Sequence, residues 1–267
     1  MILGLVGSEM CIRDSFKPPA SIEDSIIELK QQSTLFHLSN LSYLIFKDIE
    51  IFAGNISFNN SSSHITFDNT TFSYASHNSG VDGWITIPPI YLHGKYNKII
   101  NSTIKYSSGP ILIHGNNHVL KNNVIHDIGY SSKSLSGIQN GGNAFEIKIC
   151  NNTIFNCGGL AISATFKNSL ISSNHIWNVN RLKTDSAAIN AYNSGDLQNT
   201  IVSHNFVHNI QGKIDDIEHW GGYGIRLDSG GGKNGVSNCK IHNNVVFNTT
   251  TSSIGIWGVP ETGDNYE

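Results

Sequence analysis

One short pattern recurs along this chain and restricts its fold more than anything in its composition. HVLKNNVIHD (118–127), FEIKICNNTIFN (145–156), SLISSNHIWN (169–178), TIVSHNFVHN (200–209) and CKIHNNVVFN (239–248) superpose on Asn123, Asn152, Asn174, Asn205 and Asn244. Weaker copies carry Ser102 in KIINSTIKY (98–106) and Thr70 in ITFDNTTFSY (65–74), and LIFKDIEIF (44–52) reads as one more turn. The intervals between the Asn positions are 29, 22, 31 and 39 residues. A coil of roughly twenty-two residues that accepts insertions of variable length at one corner gives this spacing.

Between the Asn motifs lies a second short alternating segment: PILIHG, LAISAT, AAINAY, YGIRLD and SIGIWG. Two or three short strands per coil, Asn- and Gly-rich turns and no room for crossover helices predict a parallel β-helix rather than a sandwich of hairpins. Composition agrees, with six Pro, two Met and an abundance of Asn, Ser, Thr and Gly that suits stacked strands and tight turns. Only Ser21–Gln32, SIEDSIIELKQQ, has helical period, and it reads as a short capping helix or the end of an earlier region.

Over about residues 38–258 the chain resembles the right-handed parallel β-helix, or pectate-lyase-like, superfamily, through its repeated hydrophobic-x-x-Asn-x-hydrophobic unit. The resemblance implies an all-β, right-handed parallel β-helix solenoid. The geometry of stacked coils supports it independently. Stacked coils bring equivalent Asn side chains about 4.8 Å apart. There, each amide can donate to the next carbonyl and to the bend backbone. The aligned Asn residues are therefore expected to form a structural ladder rather than a ligand site.

Three segments are expected: 1–15, 16–37 and a β-helix domain over 38–267. Gly4–Ser15 resembles a translated transposon-end sequencing adaptor, so MILGLVGSEMCIRDS is set aside from fold reasoning. An end coil exposes apolar stacking surface and unpaired strand edges. Because GVPETGDNYE follows SIGIWG with no evident cap, the domain is expected to be a fragment of a longer solenoid.

Charged residues make up 14% of the chain and the net charge is −3, which argues against a nucleic-acid partner held through phosphates. No long apolar segment predicts a membrane partner, and a monomer is expected. Cys150, Cys157 and Cys239 lack metal-type spacing and read as buried solitary thiols. His126, His204, His208 and His242 follow the repeat and read as coil-surface residues, so no metal site is expected.

Strand residues alternate between the interior and solvent. Ile111, Ile113, Ile162, Ile189, Ala191, Ile225, Leu227, Ile254 and Ile256 are then interior. The outward file reads Leu112 and His114, Ser163, Asn190 and Tyr192, Arg226 and Asp228, Gly255 and Trp257. Such a file suits an extended sugar chain, whose hydroxyls need paired donors and acceptors and whose faces pack on aromatics. Insertions precede these strands, and NIQGKIDDIEHWGGYG brings Asp216, Glu218 and His219 to the same side.

TDSAAINAYNSGDLQNTIVSHNFVHN and GYGIRLDSGGGKNGVSNCKIHNNVVFN are similar to paired motifs of bacterial carbohydrate-active β-helix proteins, including an α-fucosidase-type glycoside hydrolase family. That resemblance implies Asp185 and Asp228 as the catalytic pair. The outward file and the loop give Asn190, Tyr192, Arg226, His219, Glu218, Asp216 and Trp257 as candidates for binding substrate, with Asp216 or Glu218 an alternative second carboxylate. Tyr192, not Asp185, holds the register of Asp228, so Asp185 must fold back over the groove. A glycosidase uses one carboxylic acid to protonate the leaving oxygen and a second carboxylate as nucleophile or base. The expected function is thus a glycoside hydrolase of a complex polysaccharide or oligosaccharide, without cofactor, secreted or periplasmic because of its substrate class. Two alternatives stand beside it. A polysaccharide lyase would recruit Lys183, Arg181, His219 or Arg226, with Ca²⁺ or Arg stabilising the enolate. A non-catalytic binding or adhesion solenoid would hold glycan without cutting it.

Overall fold

The computed structural model describes residues 34–76, 88–130, 136–182, 185–192, 194–212, 221–229 and 235–257. These residues form an all-β parallel β-helix of three sheets, with nine, eight and eight strands. The expected helix at Ser21–Gln32 and the adaptor-like segment lie outside the described residues.

Each coil supplies one strand to each sheet. One coil runs through Ile111–Ile113 in the first sheet, Val119–Lys121 in the second and Val124–Ile128 in the third. Each strand pairs in parallel with its equivalents in the neighbouring coils, as Val119–Lys121 does with Lys98–Ile100 and Lys148–Cys150. The Asn motif of the sequence is therefore a strand, a corner and a second strand, and the segments between the motifs form the first sheet.

The corners explain the abundance of Asn. At the turn from the second sheet to the third, Asn122, Asn151 and Asn243 sit at φ of 56°, 57° and 54°. Asn tolerates this left-handed conformation better than most L-residues. The next residue in each pair points inward. Asn123 Nδ2 donates to Asn152 Oδ1 at 2.9 Å, Asn152 to Asn174 and Asn174 to Asn205 at 3.0 Å, and Asn205 to Asn244 at 2.9 Å. Each Oδ1 also accepts the backbone N–H of the preceding Asn in the ladder, as Asn152 Oδ1 does from Asn123 at 3.0 Å. The other amide hydrogen goes to a strand carbonyl, as from Asn123 to Ile99 at 2.9 Å. Ser102 and Thr70 continue the column, with the Ser102 N–H donating to Asn123 Oδ1 at 2.9 Å and the Thr70 N–H to Ser102 Oγ at 3.0 Å. The predicted ladder is thus present, and it satisfies polar groups that burial would otherwise penalise.

A second buried column, not anticipated from the sequence, lines the turn from the first sheet into the second. Asn97 Oδ1 accepts the Ile65 N–H at 2.9 Å and His118 Nδ1 accepts the Asn97 N–H at 3.2 Å. Further along, Ser169 Oγ accepts from Ile147 at 2.9 Å and Thr200 Oγ1 from Ser169 at 3.1 Å.

The core is a set of stacked apolar files. Ile99, Leu120, Ile149, Ile171 and Val202 form one on the second sheet, and Ile104, Ile125, Ile154, Ile176 and Val207 form another on the third. Phenylalanines replace them toward Thr34, where Phe67 touches Phe46 with ring centroids 4.7 Å apart. Ile254 and Ile256 depart from expectation. They pair in register with Ile225 and Leu227, as alternation requires, yet are 46% and 44% exposed because no described strand stacks beyond them. Cys157 and Cys239 are buried free thiols, pushed up to about 12 by burial, while Cys150 is half-buried.

Candidate functional site

The first sheet sets the candidate residues in two outward files. Ser163, Asn190, Arg226 and Gly255 are register partners in successive coils, and Tyr192, Asp228 and Trp257 form the adjacent file. Period-two alternation puts Arg226 and Asp228 on the same outer face, and stacking sets Asn190 beside Arg226.

Arg226 is the centre of the arrangement and is only 2% exposed. Its Nε donates to Asn190 Oδ1 at 2.9 Å and its Nη1 to Asp185 Oδ1 at 2.6 Å. Its Nη2 lies 3.6 Å from Asp228 Oδ2, and the guanidinium carbon is 5.6 Å from the Tyr223 ring centroid. A buried guanidinium is tolerable only with such partners. Asp185 does fold back, as its position before the strand Ala187–Tyr192 demands, and both aspartates end on one guanidinium. With Asp185 hydrogen-bonded at 2.6 Å and Asp228 ion-paired at 3.6 Å to the two terminal nitrogens of a single group, these oxygens stay inside the outer limit of about 9.5 Å for a glycosidase pair. The two carboxyl groups differ in access, with side-chain exposures of 60% for Asp185 and 18% for Asp228.

Gly255 leaves space that a side chain would fill. A Cβ there would sit 2.5 Å from the Trp257 ring and 3.3 Å from Tyr223. Trp257 therefore lies across the coil and meets Tyr223 edge-on, with ring centroids 4.7 Å apart. Burial pushes the Tyr223 phenol up, and Asp185 and Asp228 push it further against the opposing pull of Arg226. Tyr223 was missed from sequence because it begins the quoted strand YGIRLD in a place that alternation assigns to the interior.

Tyr192 and Trp257 are exposed at the open side of this cluster. Asp216, Glu218 and His219 lie outside the described residues, as do Lys183 and most of the long loop that contains them. Arg181 is exposed and takes no part in the Arg226 cluster among the described residues. Farther along the same sheet the outward file continues with His114, whose ring is 5.1 Å from Tyr91 and 5.4 Å from His93. His126, His204, His208 and His242 lie on or near the outer surface of the coils. No protein-family model matches the chain, and no curated protein matches it.

Proposed function

We propose that this chain belongs to a carbohydrate-active protein of the pectate-lyase-like superfamily, a glycoside hydrolase that acts on a complex polysaccharide outside the cytoplasm. The observation that carries the reading is the convergence of Asp185 and Asp228, from different coils, on the Arg226 guanidinium. Two carboxyl groups on one face, beside an outward file of polar and aromatic side chains, supply the acid and the nucleophile or base that glycosidic cleavage requires. Arg226 and Asn190 act as positioning residues, since the buried guanidinium fixes both aspartates before substrate arrives. Tyr192 and Trp257 offer ring surface to sugars, and Tyr223 supports Arg226 from beneath. Asp216, Glu218 and His219 remain proposed substrate contacts.

The lyase reading is weaker on one observation. Stabilising a uronate enolate needs a cation open to substrate, whereas Arg226 is buried and engaged with three side chains.

Asp228→Asn, assayed in the full-length protein against a polysaccharide panel, is expected to abolish turnover with the fold retained by circular dichroism, although the denaturation midpoint should fall because the buried Arg226 loses a charged partner. Full activity of this variant would overturn the assignment. Product chemistry separates the classes: a new reducing end supports hydrolysis, an ultraviolet-absorbing unsaturated end supports a lyase, and retention without product supports a binder.

A further inference from the structure

The second sheet carries a separate feature. Apart from Lys105, every lysine among the described residues lies on this sheet or on the corner that leads into it. The chain as a whole has a net charge of −3, so this face is a basic island. Carboxylates nearby are held by amides. Asn101 Nδ2 donates to Asp68 at 2.7 Å, Asn238 Nδ2 to Asp196 at 3.0 Å, and Asn117 and Asn168 both donate to Glu146. Lys98, Lys121 and Lys148 form no ion pair among the described residues.

A trough of about 670 Å³ runs along this face. Its floor is one outward column in continuous register, Lys98, Val119, Lys148, Leu170 and Ile201, in which half-buried apolar residues alternate with or follow exposed lysines. Its wall is made by the corner residues Asn117, Glu146, Asn168 and Asn199. Four coil-to-coil steps give a length of about 19 Å, with Lys98 and Lys148 about 10 Å apart.

We infer that this trough is a binding site for an acidic glycan, a chain of uronate or sulfated sugars lying parallel to the solenoid axis. Apolar strips suit the C–H faces of sugar rings, the side-chain oxygens of Asn117 and Asn168 suit hydroxyl donors while their Nδ2 groups hold Glu146, and lysines at intervals along the floor suit carboxylate or sulfate groups. A nucleic acid fits less well. The rings at the trough offer little stacking surface to bases, because His64 is sandwiched between Tyr43 at 4.6 Å and Tyr96 at 4.9 Å, which covers both faces of His64 and one of Tyr96. The site lies on a different sheet from Asp185 and Asp228, and the inference does not depend on the reaction assigned there.

The test is titration calorimetry of the full chain with four probes: oligogalacturonate, dextran sulfate, neutral dextran and a single-stranded DNA oligonucleotide. One or both acidic glycans should bind, more weakly as salt rises. The Lys98→Gln/Lys148→Gln variant should bind about tenfold more weakly, and Asn168→Asp should weaken binding in the same direction. Asp228→Asn should leave binding at this site unchanged, which separates failure here from failure of the catalytic reading. The inference is overturned if neither acidic glycan binds or neutral dextran binds as well. It is equally overturned if DNA binds as tightly, or if the double lysine variant has no effect while circular dichroism shows it folded.

Discussion

At the scale of single residues, His118 shows what the corners demand. It stands in a buried column that other coils fill with Asn97, Ser169 or Thr200, and it is fully buried. Its Nε2 donates to the His114 carbonyl at 2.8 Å while its Nδ1 accepts the Asn97 N–H at 3.2 Å. Only the neutral imidazole with its proton on Nε2 does both. Burial, the largest influence, lowers its pKa from 6.5 to about 4. The unfolded chain therefore takes up this proton first as pH falls. The stabilisation from His118 is complete above about pH 6.5 and is lost progressively down to about pH 4. The difference amounts to about 3 kcal/mol. His93 and His114 are also lowered by burial and add to the slope with the same sign. Urea midpoints measured from pH 7.5 to 4.5 should fall steeply in the wild type and less so in His118→Asn. Parallel pH profiles for the two proteins would show that His118 is not the titrating group.

At the scale of the repeated element, the two Asn residues of each corner have different duties and should respond differently to substitution. Asn174→Ala removes the acceptor of the Asn152 backbone N–H and side-chain amide, and the donor to the Ile149 carbonyl, all buried. With unmade buried hydrogen bonds costing about 1–3 kcal/mol each, a loss of at least about 3 kcal/mol is expected. Asn122→Ala removes an exposed bond to Asn101 and places Ala at φ 56°, which should cost about 1–2 kcal/mol. Asn122→Gly should be closer to wild type, because Gly accepts that φ freely. Equal destabilisation by Asn174→Ala and Asn122→Ala in chemical denaturation would contradict a load-carrying ladder. This division also marks what was legible. One residue type repeated at one corner, so the Asn column could be aligned by eye. The column through Asn97, His118, Ser169 and Thr200 has the same hydrogen-bonding task but no common residue type, and left no repeat to find. The strand Ile138–Asn140 left no alternation to read, because Ile138 is its one apolar residue.

For the whole molecule, the site was legible to the extent that regular stacking defines it. Arg226 and Asp228 follow from alternation on a single strand, whereas Asp185 was identified only through resemblance, because no register rule places a loop residue. The contact of Trp257 with Tyr223 depends on the absent side chain of Gly255, a constraint that exists only once the coils are stacked. Stacking also governs stability. In a solenoid each coil touches only its neighbours, so damage should remain local. Phe67 is fully buried and meets Phe36, Phe46, Phe58 and Phe72 with ring centroids 4.7 to 6.4 Å apart. Phe67→Ala should cost about 3–5 kcal/mol. Amide hydrogen exchange should accelerate most within residues 34–76 and in the adjoining strand Lys98–Ile100, which pairs with Thr66–Asp68. Strands from Val124–Ile128 to Phe206–Ile210 should keep their protection, because no coil that contains them packs on Phe67. Ile154→Ala, in the middle of the third-sheet file, should instead loosen coils on both of its sides. A uniform loss of protection along the chain in Phe67→Ala would mean that the coils unfold as one cooperative body, against the nearest-neighbour coupling that parallel stacking implies.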